Sequence, residues 1–420
     1  MYLLYNALVT PLRGVARGRA MLARTPESRR EWRERTARDL PDARDGSWWL
    51  HGASVGEARL LDAVAARARR LHADLRIVGS ATTLSGRELL ARSRALAASF
   101  YAPLDVAGWP GRVLDAVRPA GLGMIETELW PNWIREAGRR GIPVAVVNAR
   151  LSPRRMTTYR RFGSLYASVL ANVTVVAAQS AADAERFEAL GAAPERIEVT
   201  GNLKFDLPEP AVDRTALRRR FGIALERPVV VAGSTGAGEE SEVLDAFARL
   251  RAAHPETFLV LAPRHPVRAP EVETEVARRG LRCHRLSSHA DHEAGSADVL
   301  LVDSIGELGA LYTLTAAAFV GGSLVPIGGH NVLEPVAAGA AVSFGPHTEH
   351  AADPAEALLE AGAATRVRDG EELGAWWSRL VGQPEEAARM AAAGRTALAA
   401  HRGALDRTVR RLARTFGTPA

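Results

Sequence analysis

Three short segments in the first half of the chain carry residue types able to move a proton or hold an anion. The first, His51-Gly52-Ala53-Ser54-Val55-Gly56-Glu57, has two glycines that permit a tight turn. Glu57 falls in the first turn of the helix expected next, where a carboxylate can act as a base or, as a lone glutamate more often does, as a cap with a depressed pKa. The second is Glu126-Thr127-Glu128-Leu129-Trp130-Pro131-Asn132. Glu126 and Glu128, two apart on an extended segment, share one side. Pro131 suits the first position of a helix, and Trp130 fits a site or a core equally well. The third is Gly201-Asn202-Leu203-Lys204-Phe205-Asp206, whose Lys204 is the only lysine among 54 basic residues. A single exception to an all-arginine composition marks a position that needs a compact ammonium, such as one beside a developing phosphate or carboxylate charge.

The second half offers anion-binding loops. Gly233-Ser234-Thr235-Gly236-Ala237-Gly238-Glu239-Glu240 joins a strand to a helix and could cradle an anion with backbone N–H groups. It is neither a Walker A loop nor a G-x-G-x-x-G fingerprint, so neither ATP nor a dinucleotide is expected. Ala262-Pro263-Arg264-His265-Pro266 presents Arg264 and His265 at a strand exit, where a phosphate could bind, although a loop arginine is ordinarily just solvated. Residues 321–335 hold four glycines, an entropic cost that either function or a tight turn would explain. A helix beginning near Gly329 would offer unpaired N–H groups to a phosphate, with Glu334 a turn later able to accept from ribose hydroxyls. Residues 303–308 supply a further helix start.

The elements that must position these segments alternate. Short apolar runs at 48–53, 75–80, 123–125, 143–148, 173–178 and 197–200 are separated by longer amphipathic stretches, the pattern of parallel strands and crossover helices. The fold class is therefore α/β. At 206–210 the chain reads Asp-Leu-Pro-Glu-Pro, which permits neither a helix nor a central strand and reads as a linker. A second strand series follows at 228–232, 258–262, 299–303, 317–321 and 341–344, and the remainder from residue 354 reads as helical. A chain of 420 residues exceeds one hydrophobic core. The expected partition is a basic N-terminal segment (1–44), a first domain (45–206) and a second domain (207–420), the two domains facing a cleft at the carboxyl ends of their strands.

Composition narrows the function classes. With Cys283 as the only cysteine, an intrachain disulfide and a multi-thiolate metal site are both excluded. The cluster of Cys283, His284, His289 and His292 has no recognised ligand spacing and reads as a solvated loop, so metal-independent chemistry is expected. The net charge of +6 is concentrated in residues 1–44, with ten arginines against five carboxylates, and the near-neutral remainder argues against nucleic-acid binding. Leu4, Leu8, Leu12 and Val15 fall on one face at helical spacing, accompanied by Arg13, Arg17, Arg19 and Arg24. That pattern fits either an interfacial membrane anchor or a basic helix docked on its own domain. Interrupted by Pro11, it is too short to span a bilayer.

These motifs together resemble the 3-deoxy-D-manno-octulosonic acid (Kdo) transferases of lipopolysaccharide synthesis. The resemblance runs from about residue 49 to 346 and includes Asn148-Ala149-Arg150-Leu151-Ser152. It implies a GT-B fold of two Rossmann-like domains and an inverting transfer of Kdo from CMP-Kdo to a lipid A precursor (lipid IVA), with no metal or other cofactor. It also implies attachment to the cytoplasmic face of the bacterial inner membrane. Glu57 is similar to the family's general base, and Glu128 and Lys204 match positions that stabilise the transition state. Pro263, Arg264, Ile305, Gly306, Glu307, Asn331, Val332, Leu333 and Glu334 match the donor site. The chain departs from the family pattern at Gly236-Ala237, where His-Pro is common, and in an N-terminal segment richer in arginine than usual. A nucleotide-sugar 2-epimerase of the same architecture, or a non-catalytic sugar- or lipid-binding relative, are the competing readings.

Overall fold

The computed structural model describes residues 1–41, 46–206, 212–288 and 296–418. The predicted linker beyond Asp206, the boundary at 44/45, and His289 and His292 lie outside the described residues. Contacts divide the chain into two compact units, Met1–Leu207 with His401–Ala420, and Pro208–Ala400.

The first unit is built on a seven-stranded parallel sheet: β1 (Trp48–His51), β2 (Ile77–Ala81), β3 (Ala98–Tyr101), β4 (Gly121–Ile125), β5 (Val144–Ala149), β6 (Val175–Ala178) and β7 (Ile197–Val199). Their order is β3-β2-β1-β4-β5-β6-β7, so the chain reverses direction across the sheet between β1 and β4. Continuous apolar runs such as Val-Ala-Val-Val in β5 are buried along their whole length because helices cover both faces. The helix Val55–Leu71 turns Leu60, Leu61, Val64, Ala65 and Ala68 inward, and its start is capped by Ser54.

The second unit repeats the plan. Its strands are β8 (Val229–Thr235), β9 (Phe258–Pro263), β10 (Cys283–Arg285), β11 (Val299–Leu301), β12 (Ala317–Val320), β13 (Ala341–Phe344) and β14 (Ala364–Arg366). The order is β10-β11-β9-β8-β12-β13-β14, with the reversal between β8 and β12. Cys283 and His284, expected in a solvated loop, instead form the edge strand β10, paired with β11. Burial pushes the Cys283 thiol up to about 12, so it is inert at neutral pH.

The last twenty residues belong to the first unit and not, as expected, to the second. The reason is local packing and capping. The helix Ala404–Phe416 buries Val409, Leu412 and Phe416 in the first unit's core. Phe416 meets Trp48 edge-on at 5.5 Å. The Asp206 carboxylate accepts the N–H groups of Gly403 and Leu405, both at 2.7 Å, closing the start of that helix.

The N-terminal stripe is carried by two helices, Tyr2–Val9 and Leu12–Leu22, broken at Thr10 and Pro11. One side docks on the first unit. Tyr5 donates to Asp105 at 2.6 Å, Asn132 donates to Asn6 at 2.8 Å, and Arg13 donates to the carbonyl of Ala107. The other side leaves Leu4, Leu8, Leu12 and Val15 exposed. Among the described residues no helix is long and apolar enough to cross a membrane.

Candidate active site

Strand β1 delivers His51 and Gly52, and the next helix begins almost at once. A Cβ on Gly52 would sit 2.8 Å from the Glu57 carbonyl carbon, so only glycine lets the helix start this close to the strand. Ser54 and Glu57 form a reciprocal cap. The Glu57 N–H donates to Ser54 Oγ at 3.4 Å, while the Glu57 carboxylate accepts from the Ala53 N–H at 2.6 Å and the Ser54 hydroxyl at 2.9 Å. Those two bonds lower its proton affinity. Burial and the neighbouring carboxylates of Glu126 and Glu128 outweigh them and push Glu57 up to about 7.

Strand β4 ends at Ile125, and Glu126 follows in a left-handed conformation with φ +60, uncommon for a residue with a side chain. Its carboxylate meets Lys204 Nζ at 3.0 Å. Glu128 accepts from the Trp130 indole N–H at 2.7 Å. Burial raises its pKa, against the pull of that bond and of Arg155. The sequence selected Glu57, Glu128 and Lys204, and the structure brings all three together in the first unit. It adds Glu126 as the partner of the ammonium, a role that nothing in the spacing could assign.

Lys204 is held by its backbone. Asn148, itself at φ +55, accepts the Leu203 N–H through Oδ1 at 2.9 Å. The Lys204 N–H donates to Asn202 Oδ1 at 3.0 Å. Residues 148–152 thus owe part of their character to placing the lysine loop. Asn132, at the end of the second motif, has a structural part: with Trp133 it donates its N–H to the buried Asp105, at 3.1 and 3.0 Å. Burial pushes Asp105 up to about 6 against these bonds.

In the second unit the sequence-selected residues follow the carboxyl ends of the sheet. Pro263 closes β9, Arg264 follows it, Ile305, Gly306 and Glu307 lie after β11, and Asn331, Val332, Leu333 and Glu334 after β12. Arg264 donates its N–H to the Thr235 carbonyl at 2.9 Å. It lies near His330, whose pKa falls to about 4, chiefly through burial and then through Arg264, His350 and His265. With His330 neutral at pH 7, Arg264 supplies the fixed positive charge of this corner. Glu334 adjoins Gly309, where a Cβ would come 2.9 Å from its Oε1. Glu307 pairs with Arg220 at 3.8 Å.

Two expected anion cradles are already used internally. The buried Glu239 carboxylate accepts the N–H groups of Gly236 at 2.6 Å, Gly322 at 2.5 Å, Ser323 at 2.8 Å and Leu324 at 2.7 Å. Its neighbour Glu240 takes Arg268 in a two-pronged bridge and the Thr235 hydroxyl. The Gly329 N–H donates to the Gly322 carbonyl at 2.7 Å, and the helix expected near Gly329 begins at Leu333 and runs only to Ala337. These N–H groups are therefore not free to receive an external anion. Glycine at 322 is required, since a Cβ there would lie 2.7 Å from His330 Nε2 at φ +69.

In both units some of the chemistry-bearing loops leave the two central strands at which the sheet order reverses: those of Glu57 and Glu128 follow β1 and β4, and residues 331–334 follow β12, while Lys204 follows the edge strand β7 and Arg264 and residues 305–307 follow β9 and β11. Ligands of open α/β sheets gather at such switch points. Two Rossmann-like units of this kind define the GT-B class. The fold is similar to that of Anabaena HepE in complex with UDP and glucose, with a TM-score of 0.61 at 16% identity, covering 88% of this chain and 99% of that one. Residues 30–207 match the family described as 3-deoxy-D-manno-octulosonic-acid transferase (kdotransferase). The transferase of that name from Bordetella pertussis is 34% identical over 370 residues, 86% of this chain and 85% of the relative. A bifunctional glycosyltransferase/methyltransferase of Fusobacterium nucleatum is 33% identical over 348 residues; these span 81% of this chain and 53% of that longer protein. The chain belongs to the Kdo transferase family.

Proposed function

We propose that the protein transfers Kdo from CMP-Kdo to a lipid A precursor, lipid IVA, with inversion at the anomeric carbon. The observation that carries this reading is Glu57, a carboxylate pushed up to about 7 by burial and by Glu126 and Glu128, the first of which is paired with Lys204. A base poised near neutrality suits removal of a proton from a sugar hydroxyl. As the acceptor oxygen bonds to the anomeric carbon of Kdo, its proton passes to Glu57 and the bond from that carbon to the CMP phosphate breaks. Lys204, steadied by Glu126, and Glu128 balance the charge that builds up during the exchange. Arg264 and the residues 305–307 and 331–334 of the second unit hold the donor nucleotide. No metal takes part in this scheme.

The acceptor is a lipid, and we assign the protein to the cytoplasmic face of the inner membrane. Supporting this are the exposed Leu4, Leu8, Leu12 and Val15, on helices whose opposite side docks on the first unit, together with the N-terminal arginines. Replacing Leu4, Leu8 and Leu12 by serine should release the protein from anionic vesicles. Unchanged sedimentation with vesicles would remove the membrane assignment.

The decisive experiment incubates purified enzyme with CMP-Kdo and lipid IVA and weighs the product. An acceptor heavier by one or more Kdo residues, with CMP released in equal amount, supports the proposal. Release of CMP without an acceptor adduct, or epimerisation of a sugar nucleotide with no acceptor present, contradicts it.

A further inference from the structure

His51 ends β1 and is completely buried, yet its ring nitrogens have unequal surroundings. Parallel pairing sets His51 opposite Ser80 on β2. His51 Nδ1 lies 3.0 Å from the Ser80 hydroxyl oxygen and 3.2 Å from the Ser80 carbonyl oxygen. That hydroxyl oxygen already accepts the Trp49 indole N–H at 2.8 Å, and the carbonyl accepts the Gly52 N–H at 3.0 Å. An indole nitrogen can only donate, so the Ser80 proton is left to find an acceptor. Among the described residues that acceptor is His51 Nδ1. The Ser80 carbonyl already has the Gly52 N–H, so the tautomer that also satisfies the buried Ser80 hydroxyl has Nδ1 receiving and the single proton of the neutral ring on Nε2. Burial keeps the ring neutral, drawing its pKa down to about 4.

Nε2 is itself buried without a hydrogen-bond partner, and it lies 3.9 Å from Glu128 Oε2. The ring packs on Trp133 at 4.9 Å, which limits its rotation. We propose that His51 is a positioning residue whose Nε2–H closes on the Glu128 carboxylate when substrate is seated, with Trp49 and Ser80 fixing the tautomer that makes it a donor. The inference rests on Glu128 acting in transfer. A buried N–H held for a carboxylate is costly if it never bonds, and Glu128 is the acceptor it faces. Second-line partners of this kind fix the direction of a catalytic group without touching the substrate.

Nitrogen chemical shifts of the His51 ring in the full-length protein test the tautomer directly. The expected result is a neutral Nε2–H form that does not titrate from about pH 5 to about pH 8. In Ser80→Ala the remaining neighbour of Nδ1 is a carbonyl, which needs a donor, so the proton moves to Nδ1. That variant should lose about 10- to 100-fold in kcat with the donor KM within about twofold, the cost of one hydrogen bond to a charged group. His51→Leu should match it, and His51→Gln, which retains an N–H donor, should recover much of the loss. Because Ser80→Ala removes one atom, it carries the test if His51→Leu fails to fold. A wild-type Nδ1–H tautomer, titration near 6.5, or an Ser80→Ala protein with a moved proton and unchanged kcat would overturn the proposal alone. Full turnover by Glu128→Gln would overturn the role of Glu128 and this inference with it.

Discussion

Glu57 and Glu239 occupy nearly the same place in the two units. Each lies in the first turn of the helix that follows the central strand of its sheet, and each reaches back to a backbone N–H of the loop before it, Ala53 or Gly236, at 2.6 Å. From there they part. Glu239 gathers three more N–H groups from the loop after β12, so its oxygens are fully engaged in holding two loops together. Glu57 gains only a serine hydroxyl and faces Glu126 and Glu128, which make its charge costly. A buried carboxylate saturated with donors is a fastener, whereas one short of donors and set among like charges is ready to accept a proton.

The sharpest way to break this comparison is Glu57→Gln. Turnover should fall about a thousandfold, while calorimetry should find CMP-Kdo binding within about twofold of wild type. Normal turnover would make Glu57 a cap and nothing more. Lys204→Arg comes next. A guanidinium retains the charge beside Glu126 but not the compact geometry, and a loss of about 10- to 100-fold in kcat is expected. Wild-type rates would end the argument from the solitary lysine.

Glu239→Gln tests the other half. It should cost about 1–3 kcal/mol, seen as a fall of about 2–12 °C in the melting of the second unit, and should leave the pH midpoint of Glu57 in place. A shifted midpoint with unchanged melting would reverse the assigned roles. The smallest effect concerns pH. The acid limb of kcat/KM should have a midpoint near 7, where Glu57 must lose its proton to act. Glu126→Gln removes a neighbouring negative charge and leaves Lys204 in place, so the limb should move to lower pH, by less than about tenfold in rate at any one pH. The same shift has a stability sign. Folded Glu57 holds its proton more tightly than unfolded Glu57, so its contribution is complete below 4.5 and is lost as pH rises through about 7.

How far the fold was legible depended on position within the sheets. Every central strand stood out as a mostly apolar run, because burial on both faces favours apolar residues there and admits only a few hydrogen-bonded polar ones such as His51, Ser80 and Asn148. The strands that escaped notice, β3, β10 and β14, are all sheet edges. They are short and half-covered, and Cys283-His284-Arg285 in β10 has no apolar run to betray it. In the candidate site, Lys204 is legible as the solitary lysine, whereas Glu57 and Glu128 are singled out only through the resemblance to the Kdo transferases. Their geometry is not legible. Glu126, which meets Lys204, takes a left-handed conformation while its N–H donates to the Val147 carbonyl of the neighbouring strand at 2.8 Å, a long-range contact. Glu239 reads as part of a ligand cradle because three of its four N–H partners lie more than eighty residues away in the chain.

The closing helix has a bearing on how the protein is made. Phe416 fills the space beside Gly121, where even a methyl group would lie 2.0 Å from its ring, so the first sheet keeps a slot for a segment translated after the whole second unit. At ribosomal speeds the stretch Pro208–Ala400 takes about 10–40 s to emerge. During that delay the slot beside Gly121 waits for a helix the ribosome has yet to make.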